Sequence, residues 1–209
     1  AAGARRHGTA MNEPTHRDTF LQGRTALVTG STSGIGLAIA TALAAAGSKV
    51  AINGLGTPEQ VASAIATVDA AGNGGTRHFG ADLRDADAIA AMMADLDAWS
   101  NGGIDILVNN AGIQHAVPLH EMPVSRWNDI IAVNLSSAFH TMRAAMPAMA
   151  ARGYGRVLNI ASVHGLVDVV LQRATPIRRD HRQLRLPRLG GDAADRAADR
   201  GAHGRRLAR

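Results

Sequence analysis

The segment Thr29–Gly36, TGSTSGIG, stands between an apolar run and a helical pattern. The run Ala26–Val28 before it is typical of a buried strand, and apolar residues from Ile35 to Ala46 recur at helical spacing. Glycines between a strand and a helix allow a tight turn, close approach of a ligand to the backbone, and close packing of the helix on the strand. The helix N-terminus adds free N–H groups and a positive dipole, so the segment predicts a pyrophosphate site. A glycine-rich turn without a ligand is the alternative.

Strand and helix patterns alternate along residues 21–165. Three more apolar runs predict parallel strands buried on both faces, at Val50–Ile52, Ile104–Val108 and Val157–Ile160. Further helices are predicted at about 57–71, 85–100 and 126–151, and Pro147 should end or kink the last of them. The predicted fold class is α/β, a doubly wound parallel sheet of Rossmann-like type that is incomplete at its C-terminal side.

The distribution of charge separates the chain into three predicted regions. We expect a flexible N-terminal extension over 1–20, a dinucleotide-binding domain over 21–167 and an atypical Arg-rich tail over 168–209. The net charge of +5 comes from the tail, which carries eleven Arg and five Asp, whereas residues 1–167 carry eleven basic and twelve acidic residues. Because the tail has no aromatic residue and no Lys, we expect no specific nucleic-acid partner.

Composition and spacing also exclude several other kinds of site. The sequence has no cysteine, so it forms no disulfide and no thiolate metal site. His115 and His120 are five residues apart, which does not place them on one helical face, and no metal site is predicted. No segment has the apolar length of a signal peptide or a membrane span, so we expect no membrane partner and a cytoplasmic protein.

The residue at the end of the second strand is expected to select between NAD and NADP. An acidic residue there favours NAD and a nearby Arg favours NADP, and the sequence has Asn53, which could hydrogen-bond a ribose hydroxyl. No cation is evident beside it, so the predicted cofactor is NAD. Asp82 and Leu83, after the third strand, suit an adenine contact, with a helix N-cap as the equal alternative for Asp82.

Four motifs in a fixed order carry a resemblance to a known family. They are TGSTSGIG, NNAG at Asn109–Gly112, Asn134 within VNL, and Ser162 at the end of NIAS. In this order they resemble the short-chain dehydrogenase/reductase family over about residues 20–167, and the resemblance ends near Val167. Within the family, NNAGIQH, NLSSAFHT and NIASVHGLV are similar to the bacterial NAD-dependent D-3-hydroxybutyrate dehydrogenases, which interconvert 3-hydroxybutyrate and acetoacetate.

The resemblance implies a role for each matching residue. Asn134 would hold a water in a proton relay, Ser162 would hydrogen-bond the substrate oxygen, and Gln114 and His164 would bind the carboxylate of a small hydroxy acid or keto acid. The implied cofactor-binding residues are Gly30, Thr32, Gly34, Ile35 and Gly36 in the first loop, and Asn110, Ala111 and Gly112 after the fourth strand. Each polar residue also has a purely structural interpretation: a surface loop for Gln114, a backbone bridge for Asn134, and a strand end for Ser162.

The sequence departs from the family at the proton donor. The family has a Tyr about thirteen residues after the Ser and a Lys four residues later, where this chain has Thr175 and Arg179. Thr does not titrate in a useful range and Arg does not replace Lys, so the resemblance predicts an inactive or impaired chain. The only Tyr is Tyr154 and the only Lys is Lys49. The family assembles as homo-tetramers through helices after the fifth strand, so the tetramer is in doubt for this chain.

The composition of the tail suggests why the chain lacks the family's Tyr and Lys. It is rich in residues with GC-rich codons, and it lacks Lys, Asn, Phe and Tyr. Our hypothesis is that residues from about 168 onward are read out of frame, which fails if a one- or two-base shift after the Val167 codon reveals no Tyr-x-x-x-Lys. The alternative is a genuine, disordered tail. Two other functions stay open, a 3-oxoacyl reductase of the same family and a non-catalytic dinucleotide-binding remnant.

Overall fold

The computed structural model describes residues 19–162 and contains a five-stranded parallel sheet in the order β3-β2-β1-β4-β5. The strands are β1 Thr25–Val28, β2 Lys49–Ile52, β3 Arg77–His78, β4 Ile106–Asn109 and β5 Arg156–Asn159. The α-helices are α1 Gly34–Ala45, α2 Pro58–Ala71, α3 Ala86–Ser100, α4 Val124–Ile131 and α5 Ser137–Ala151. The strand order is that of a Rossmann-like sheet, so the predicted fold class is confirmed. The predicted extension and tail fall on residues 1–18 and 163–209, outside the described residues, and the domain boundaries stay predictions.

Alternate residues of the central strands point into two separate cores. Leu27 of β1 and Leu107 of β4 pack with α3 and α5 on one face. Ala26 and Val28 of β1, with Val50 of β2, pack against α1 and α2 on the other. Because both faces are covered by helices, the strands are continuously apolar, as predicted.

The outer strand β5 differs from this prediction. Among the described residues it pairs with β4 alone, and all four of its residues are exposed. Val157 is 37 % exposed and Leu158 is 48 % exposed, although their apolar character predicts burial on both faces. Within residues 19–162 no element covers the outer side of β5, so the apolar pattern of this strand is not matched by its surroundings.

The last predicted helix, 126–151, is longer and less regular than expected. Helical structure begins at Val124 and continues to Ala151, with a π-helical turn at Ala132–Ser136 between α4 and α5. Pro147 lies inside α5, so of the two predicted alternatives the end of the helix is wrong and the kink stays untested. The N–H that Pro lacks is one that a helix interior normally uses, but packing of Ala145 and Met149 in the core holds the turn around it.

Local sequence explains where two other helices begin. Thr57 and Gln60 form a reciprocal capping box at α2, followed by Pro58 at the first helical position. Asp85 caps α3 by accepting hydrogen bonds from the N–H groups of Asp87 and Ala88. Over the described part of the chain, no helix is long and apolar enough to cross a membrane.

Candidate functional site: a cleft at the carboxyl ends of the strands

A cleft of about 590 Å³ opens where β1, β2 and β4 end. In the sheet, β2 lies on one side of β1 and β4 lies on the other, so the strand order reverses at β1. Proteins of the α/β class bind ligands at such a switch point. The walls come from the loops after the first four strands and from α4. The predicted cofactor residues Gly30, Thr32, Ile35, Gly36, Asn53, Asp82, Leu83, Asn110, Ala111 and Gly112 line the cleft, with unpredicted Leu55, Arg84, Arg126 and Asp129 beside them.

The three predicted glycines of the first loop meet three different constraints. Gly30 has φ +62°, and a Cβ there would lie 2.8 Å from the Cα of Ala111. Gly36 packs still more closely, since a Cβ would lie 2.2 Å from the Gly30 carbonyl oxygen. Gly34 has φ +57° but faces open space. Two glycines thus bring the backbone close together, and the third, predicted as a cofactor residue, does not line the cleft although its neighbours Ser33 and Ile35 do.

Two hydroxyl residues that sequence reasoning missed hold this loop in place. The Thr29 hydroxyl accepts hydrogen bonds from the N–H groups of Asn110 and Ala111, at 3.0 and 3.1 Å. The buried Ser31 hydroxyl donates to the Val28 carbonyl at 2.7 Å and accepts from the Asn53 N–H at 3.1 Å. Both residues stand inside the TGSTSGIG motif. Their role could not be predicted from the motif alone, because their hydrogen-bond partners lie at the ends of other strands.

Asn110 joins the first loop to the end of β4. Its side-chain N–H group donates to the carbonyls of Thr29 and Gly30, at 2.9 and 3.1 Å. The side chain is therefore used within the protein, whereas Ala111 and Gly112 leave their backbone beside the cleft. The prediction that the segment supports the ribose and nicotinamide side stays a prediction.

Asn53 lines the cleft, and its side-chain amide is held within the protein, so the predicted ribose contact stays untested. The residue is fully buried, and its side-chain amide donates to the Phe79 carbonyl at 2.9 Å. The amide is thus turned inward toward the start of the β3–α3 loop, because a buried donor must find a partner. Its Oδ1 atom has no hydrogen bond within residues 19–162. Leu55, 70 % exposed, lines the cleft two residues further along the chain.

Asp82 lies on the opposite wall and is held by Arg84. The guanidinium Nη2 approaches Asp82 Oδ2 to 2.5 Å, and the Arg84 backbone N–H donates to Oδ1 at 3.0 Å. Hydrogen bonds from the Arg84 side chain, and then from its backbone, lower the pKa of Asp82 to about 2. The alternative of a helix N-cap is wrong for Asp82, because Asp85 caps α3. The Leu83 side chain packs in the core, so its backbone is the part that reaches the cleft.

Asn134 holds the loop after β4 from the other side. Its Oδ1 accepts from the Ile113 N–H at 2.9 Å, and its Nδ2 donates to the Ile113 carbonyl at 3.0 Å. Asn134 lies in the π-helical turn, a feature that often marks functional sites because it shifts the direction of a side chain. The structure therefore bears out the backbone bridge, and the water-holding role is untested.

Ser162 follows β5 at the same edge of the sheet as the first loop and Asn110. The Ile160 N–H donates to the Asn109 carbonyl at 2.9 Å, so the parallel pairing continues to within two residues of Ser162. Two hydrogen bonds between side chains connect α5, β4 and β5 below this segment. The Thr141 hydroxyl donates to Asn109 Oδ1 at 2.7 Å, and Asn109 Nδ2 donates to Asn159 Oδ1 at 2.8 Å. Gln114, Asn134 and Ser162 do not line the cleft itself.

Of the remaining predicted residues, some lie outside the described residues, and the others lie at the amino ends of the strands. His164, Thr175 and Arg179 lie outside the described residues. Tyr154 precedes β5 and lies under the Arg24 guanidinium, 3.6 Å from its ring centroid. Since Arg24 precedes β1, this contact is at the amino ends of the strands, away from Ser162. Lys49 begins β2 and donates to the Trp99 carbonyl at 3.0 Å, so neither residue replaces the missing pair.

No cluster of three or more potential metal ligands occurs among residues 19–162. His120 pairs with Glu121 at 3.5 Å on the surface. The donor set of the cleft is instead backbone N–H, amide and hydroxyl groups beside the N-terminus of α1, which is the chemistry that a pyrophosphate requires. These residues fit a dinucleotide.

The parallel sheet, the glycine loop and the switch-point cleft together define a Rossmann-like dinucleotide-binding fold. Residues 24–174 match the model of the short chain dehydrogenase family. The chain therefore belongs to the short-chain dehydrogenase family, whose members bind a nicotinamide dinucleotide. The match ends at the residue before Thr175.

Three relatives show how the family likeness is distributed. A D-beta-hydroxybutyrate dehydrogenase of Rhizobium meliloti is 51 % identical over 144 residues, which cover 69 % of this chain and 55 % of that protein. The 3-oxoacyl-[acyl-carrier-protein] reductase FabG of Escherichia coli is 42 % identical over 69 % of this chain and 57 % of its own length. The crystal structure of a metagenomic short-chain oxidoreductase in complex with NADP has a TM-score of 0.66 at 39 % identity, covering 71 % of this chain and 66 % of that one. The chain thus spans little more than half the length of these curated relatives.

Proposed function

We propose that this chain is the dinucleotide-binding part of an NAD-dependent oxidoreductase acting on 3-hydroxybutyrate and acetoacetate. The observation that supports the proposal is the cleft beside the N-terminus of α1, which Gly30, Ile35 and Gly36 line and whose other walls fit a nucleotide. The substrate class rests on the likeness to D-beta-hydroxybutyrate dehydrogenase, and the choice of NAD rests on Leu55 and Arg84 of the cleft. We place the protein in the cytoplasm, with a small hydroxy acid or keto acid as its partner.

Each wall of the cleft has a distinct task in this proposal. A nicotinamide dinucleotide held in the cleft would supply the hydride acceptor for the alcohol carbon, or the donor for the ketone, while the substrate oxygen loses or gains a proton. The N–H groups at Gly34 and Ile35 hold the pyrophosphate, and the loop that Asn110 and Asn134 tie down supports the nicotinamide end. Ser162 holds the substrate oxygen, so that the reacting carbon is oriented for transfer.

NAD is favoured over NADP by the residues near the end of β2. Leu55 is exposed there and carries no charge, and Arg84, a cation of the cleft that sequence reasoning missed, is already hydrogen-bonded to Asp82. A 2′-phosphate would lack a free cationic partner among these residues, whereas a ribose hydroxyl needs none.

Substituting Leu55→Arg tests this preference. A guanidinium at this position should pair with a 2′-phosphate and raise the affinity for NADPH relative to NADH about tenfold, or roughly 1.4 kcal/mol. Fluorescence titration with both reduced dinucleotides measures the ratio. Leu119→Arg is the matched control, because Leu119 is 68 % exposed and does not line the cleft. An unchanged ratio in Leu55→Arg would place the ribose subsite elsewhere.

We further propose that the chain turns over poorly because Thr175 and Arg179 replace the proton-donating pair. General acid–base catalysis contributes about 10²–10⁴-fold, so turnover should fall by a factor in that range. In this reading the chain is a dinucleotide-binding remnant of a dehydrogenase.

Binding and turnover of the purified full chain separate the alternatives. NADH titration should give saturable binding, and the chain with NAD and D-3-hydroxybutyrate should form NADH far more slowly than a complete relative assayed beside it. Turnover equal to that relative would contradict the impairment, and failure to bind NADH would contradict the dinucleotide site. Faster reaction of acetoacetyl thioester with NADPH than of acetoacetate with NADH would favour the 3-oxoacyl reductase, which the likeness to FabG keeps as the second candidate.

A further inference from the structure

The loop between β2 and α2 places an apolar side chain at the cleft. Leu55 is 70 % exposed and lines the cleft, and it stands between Gly54 and Gly56. Because glycine has no side chain to restrict its backbone, neither neighbour fixes the direction of Leu55 by itself. The position of this side chain therefore depends on contacts with other parts of the chain.

The loop after β1 holds one side of this segment. The Thr32 hydroxyl donates to the Leu55 carbonyl at 3.3 Å. A Cβ at Gly54 would lie 2.5 Å from the same hydroxyl oxygen, so the two loops pack directly on each other. Just before them, the Asn53 carbonyl accepts from the Ser31 N–H at 2.6 Å. The segment is thus tied to the first glycine loop along its inner side.

His78 of β3 holds the same segment from behind the cleft. Its Nε2 atom lies 2.9 Å from the Gly54 carbonyl oxygen, and the residue is half-buried and does not line the cleft. Since a carbonyl oxygen only accepts, Nε2 carries the hydrogen of this bond. Strand pairing brings the ring into reach, because His78 lies opposite Ile52, two residues before Gly54.

The effect on a ligand follows from the chemistry of the Leu55 side chain. An uncharged side chain held at the cleft would remove water from a nearby phosphate without offering a cation, and burial of an unpaired charge is costly. A neutral ribose hydroxyl would be affected much less. Discrimination against an additional phosphate therefore depends on how firmly Leu55 is held in place.

We propose that His78 is a positioning residue for nucleotide selection, whose hydrogen bond to the Gly54 carbonyl keeps Leu55 at the cleft and so increases the preference for NADH over NADPH. The inference rests on the proposed dinucleotide site. His78 acts through Leu55, since it does not itself line the cleft.

His78→Phe tests the proposal, because it keeps a ring and removes the N–H donor. The measured quantity is the Kd for NADPH divided by the Kd for NADH, from fluorescence titration of the full chain, and a general loss of affinity cancels in this ratio. We expect the ratio to fall about three- to tenfold, as the loss of one hydrogen bond allows. His78→Gln should restore much of it, because the Gln amide N–H has nearly the reach of Nε2.

His140→Phe is the matched control. His140 lies in α5, is likewise half-buried and does not line the cleft, so the ratio should equal that of the unmodified chain. An unchanged ratio in a folded His78→Phe variant would overturn the inference, and an equal fall in His140→Phe would do the same.

A double-mutant cycle tests whether His78 acts through Leu55. In a Leu55→Ala background the large side chain is gone, so adding His78→Phe should change the ratio by less than about twofold. A full effect of His78→Phe in that background would overturn the inference, because the histidine would then act on the nucleotide by another route.

The tautomer of His78 provides a measurement that needs no folded variant. In a long-range proton–nitrogen NMR correlation spectrum of the unmodified chain, the neutral ring should carry its hydrogen on Nε2. A hydrogen on Nδ1 would overturn the inference, even if circular dichroism shows that His78→Phe does not fold. If the unmodified chain has the Nε2 tautomer but binds neither NADH nor NADPH, the proposed function fails and the inference fails with it.

Discussion

Gly36 shows how one missing side chain connects sequence, packing and ligand binding. Its Cα faces the Gly30 carbonyl oxygen so closely that a methyl group would lie 2.2 Å from it. We expect Gly36→Ala to destabilise the fold by about 1–3 kcal/mol, because overpacking displaces the loop, and to weaken NADH binding at least about tenfold. Chemical denaturation and fluorescence titration measure the two effects.

Gly74→Ala separates the two consequences. Gly74 has φ +75° but open space around it, and it does not line the cleft, so an Ala there costs only the left-handed backbone conformation, about 1–2 kcal/mol. Its NADH affinity should equal that of the unmodified chain. Similar weakening of binding in both variants would show that lost stability, and not the shape of the loop, controls affinity.

Asp82 predicts a pH dependence of stability. Hydrogen bonds from Arg84 lower its pKa from 3.8 in the absence of such partners to about 2 in the folded chain. A lowered carboxyl pKa means that the unfolded chain takes up the proton first, so the stabilisation is complete above about pH 5 and is lost as the pH falls through 3.8 toward 2. The difference in unfolding free energy between the unmodified chain and Asp82→Asn should therefore shrink over this range. A difference that stays constant from pH 6 to pH 2 would contradict the role of the ion pair.

At the scale of the elements, the buried hydroxyl of Thr141 joins α5 to β4. It donates to Asn109 Oδ1, which leaves the Asn109 amide to reach Asn159 of β5. Thr141→Val keeps the shape and removes the donor, so a buried acceptor loses its partner, at a cost of about 1–3 kcal/mol. Urea denaturation measures the change.

Thr67→Val is the control for this substitution. Thr67 also lies within a helix and donates to the carbonyl four residues earlier, but it is exposed. Water replaces its hydrogen bond, so the change should stay within about 0.5 kcal/mol. Equal effects at the two positions would assign the loss to the helix propensity of Val.

The elements differ in how far the sequence predicts them. The strands β1, β2 and β4 follow from their apolar runs, and α2 and α3 from Thr57 and Asp85 before them, because these signals are local. The continuation of α5 through Pro147 and the π-helical turn at Asn134 do not follow, because packing against the sheet overrides local preference. The exposure of β5 was equally unpredictable, since it depends on which element lies beside the strand.

At the scale of the whole molecule, a dinucleotide should stabilise the fold. The cleft joins loops that follow four different strands, so a bound ligand restrains them together. NADH at about 100 times its dissociation constant should add about 2.7 kcal/mol, which corresponds to a rise of roughly 5–10 °C in Tm. Differential scanning fluorimetry measures the shift, and nicotinamide mononucleotide at the same concentration is the control. No shift with NADH would contradict the site.

The sequence alone determined the fold class, the glycine loop and the family motifs, because apolar periodicity, glycine placement and short ordered motifs are properties of neighbouring residues. The family resemblance also predicts that Thr175 and Arg179 stand where the family has Tyr and Lys. The tertiary structure decided the rest of the site. It turned the fully buried Asn53 amide inward to the Phe79 carbonyl, and it brought Arg84 between Asp82 and Asp129. These outcomes depend on partners that are distant in the sequence, and a buried or paired polar group takes its role from those partners.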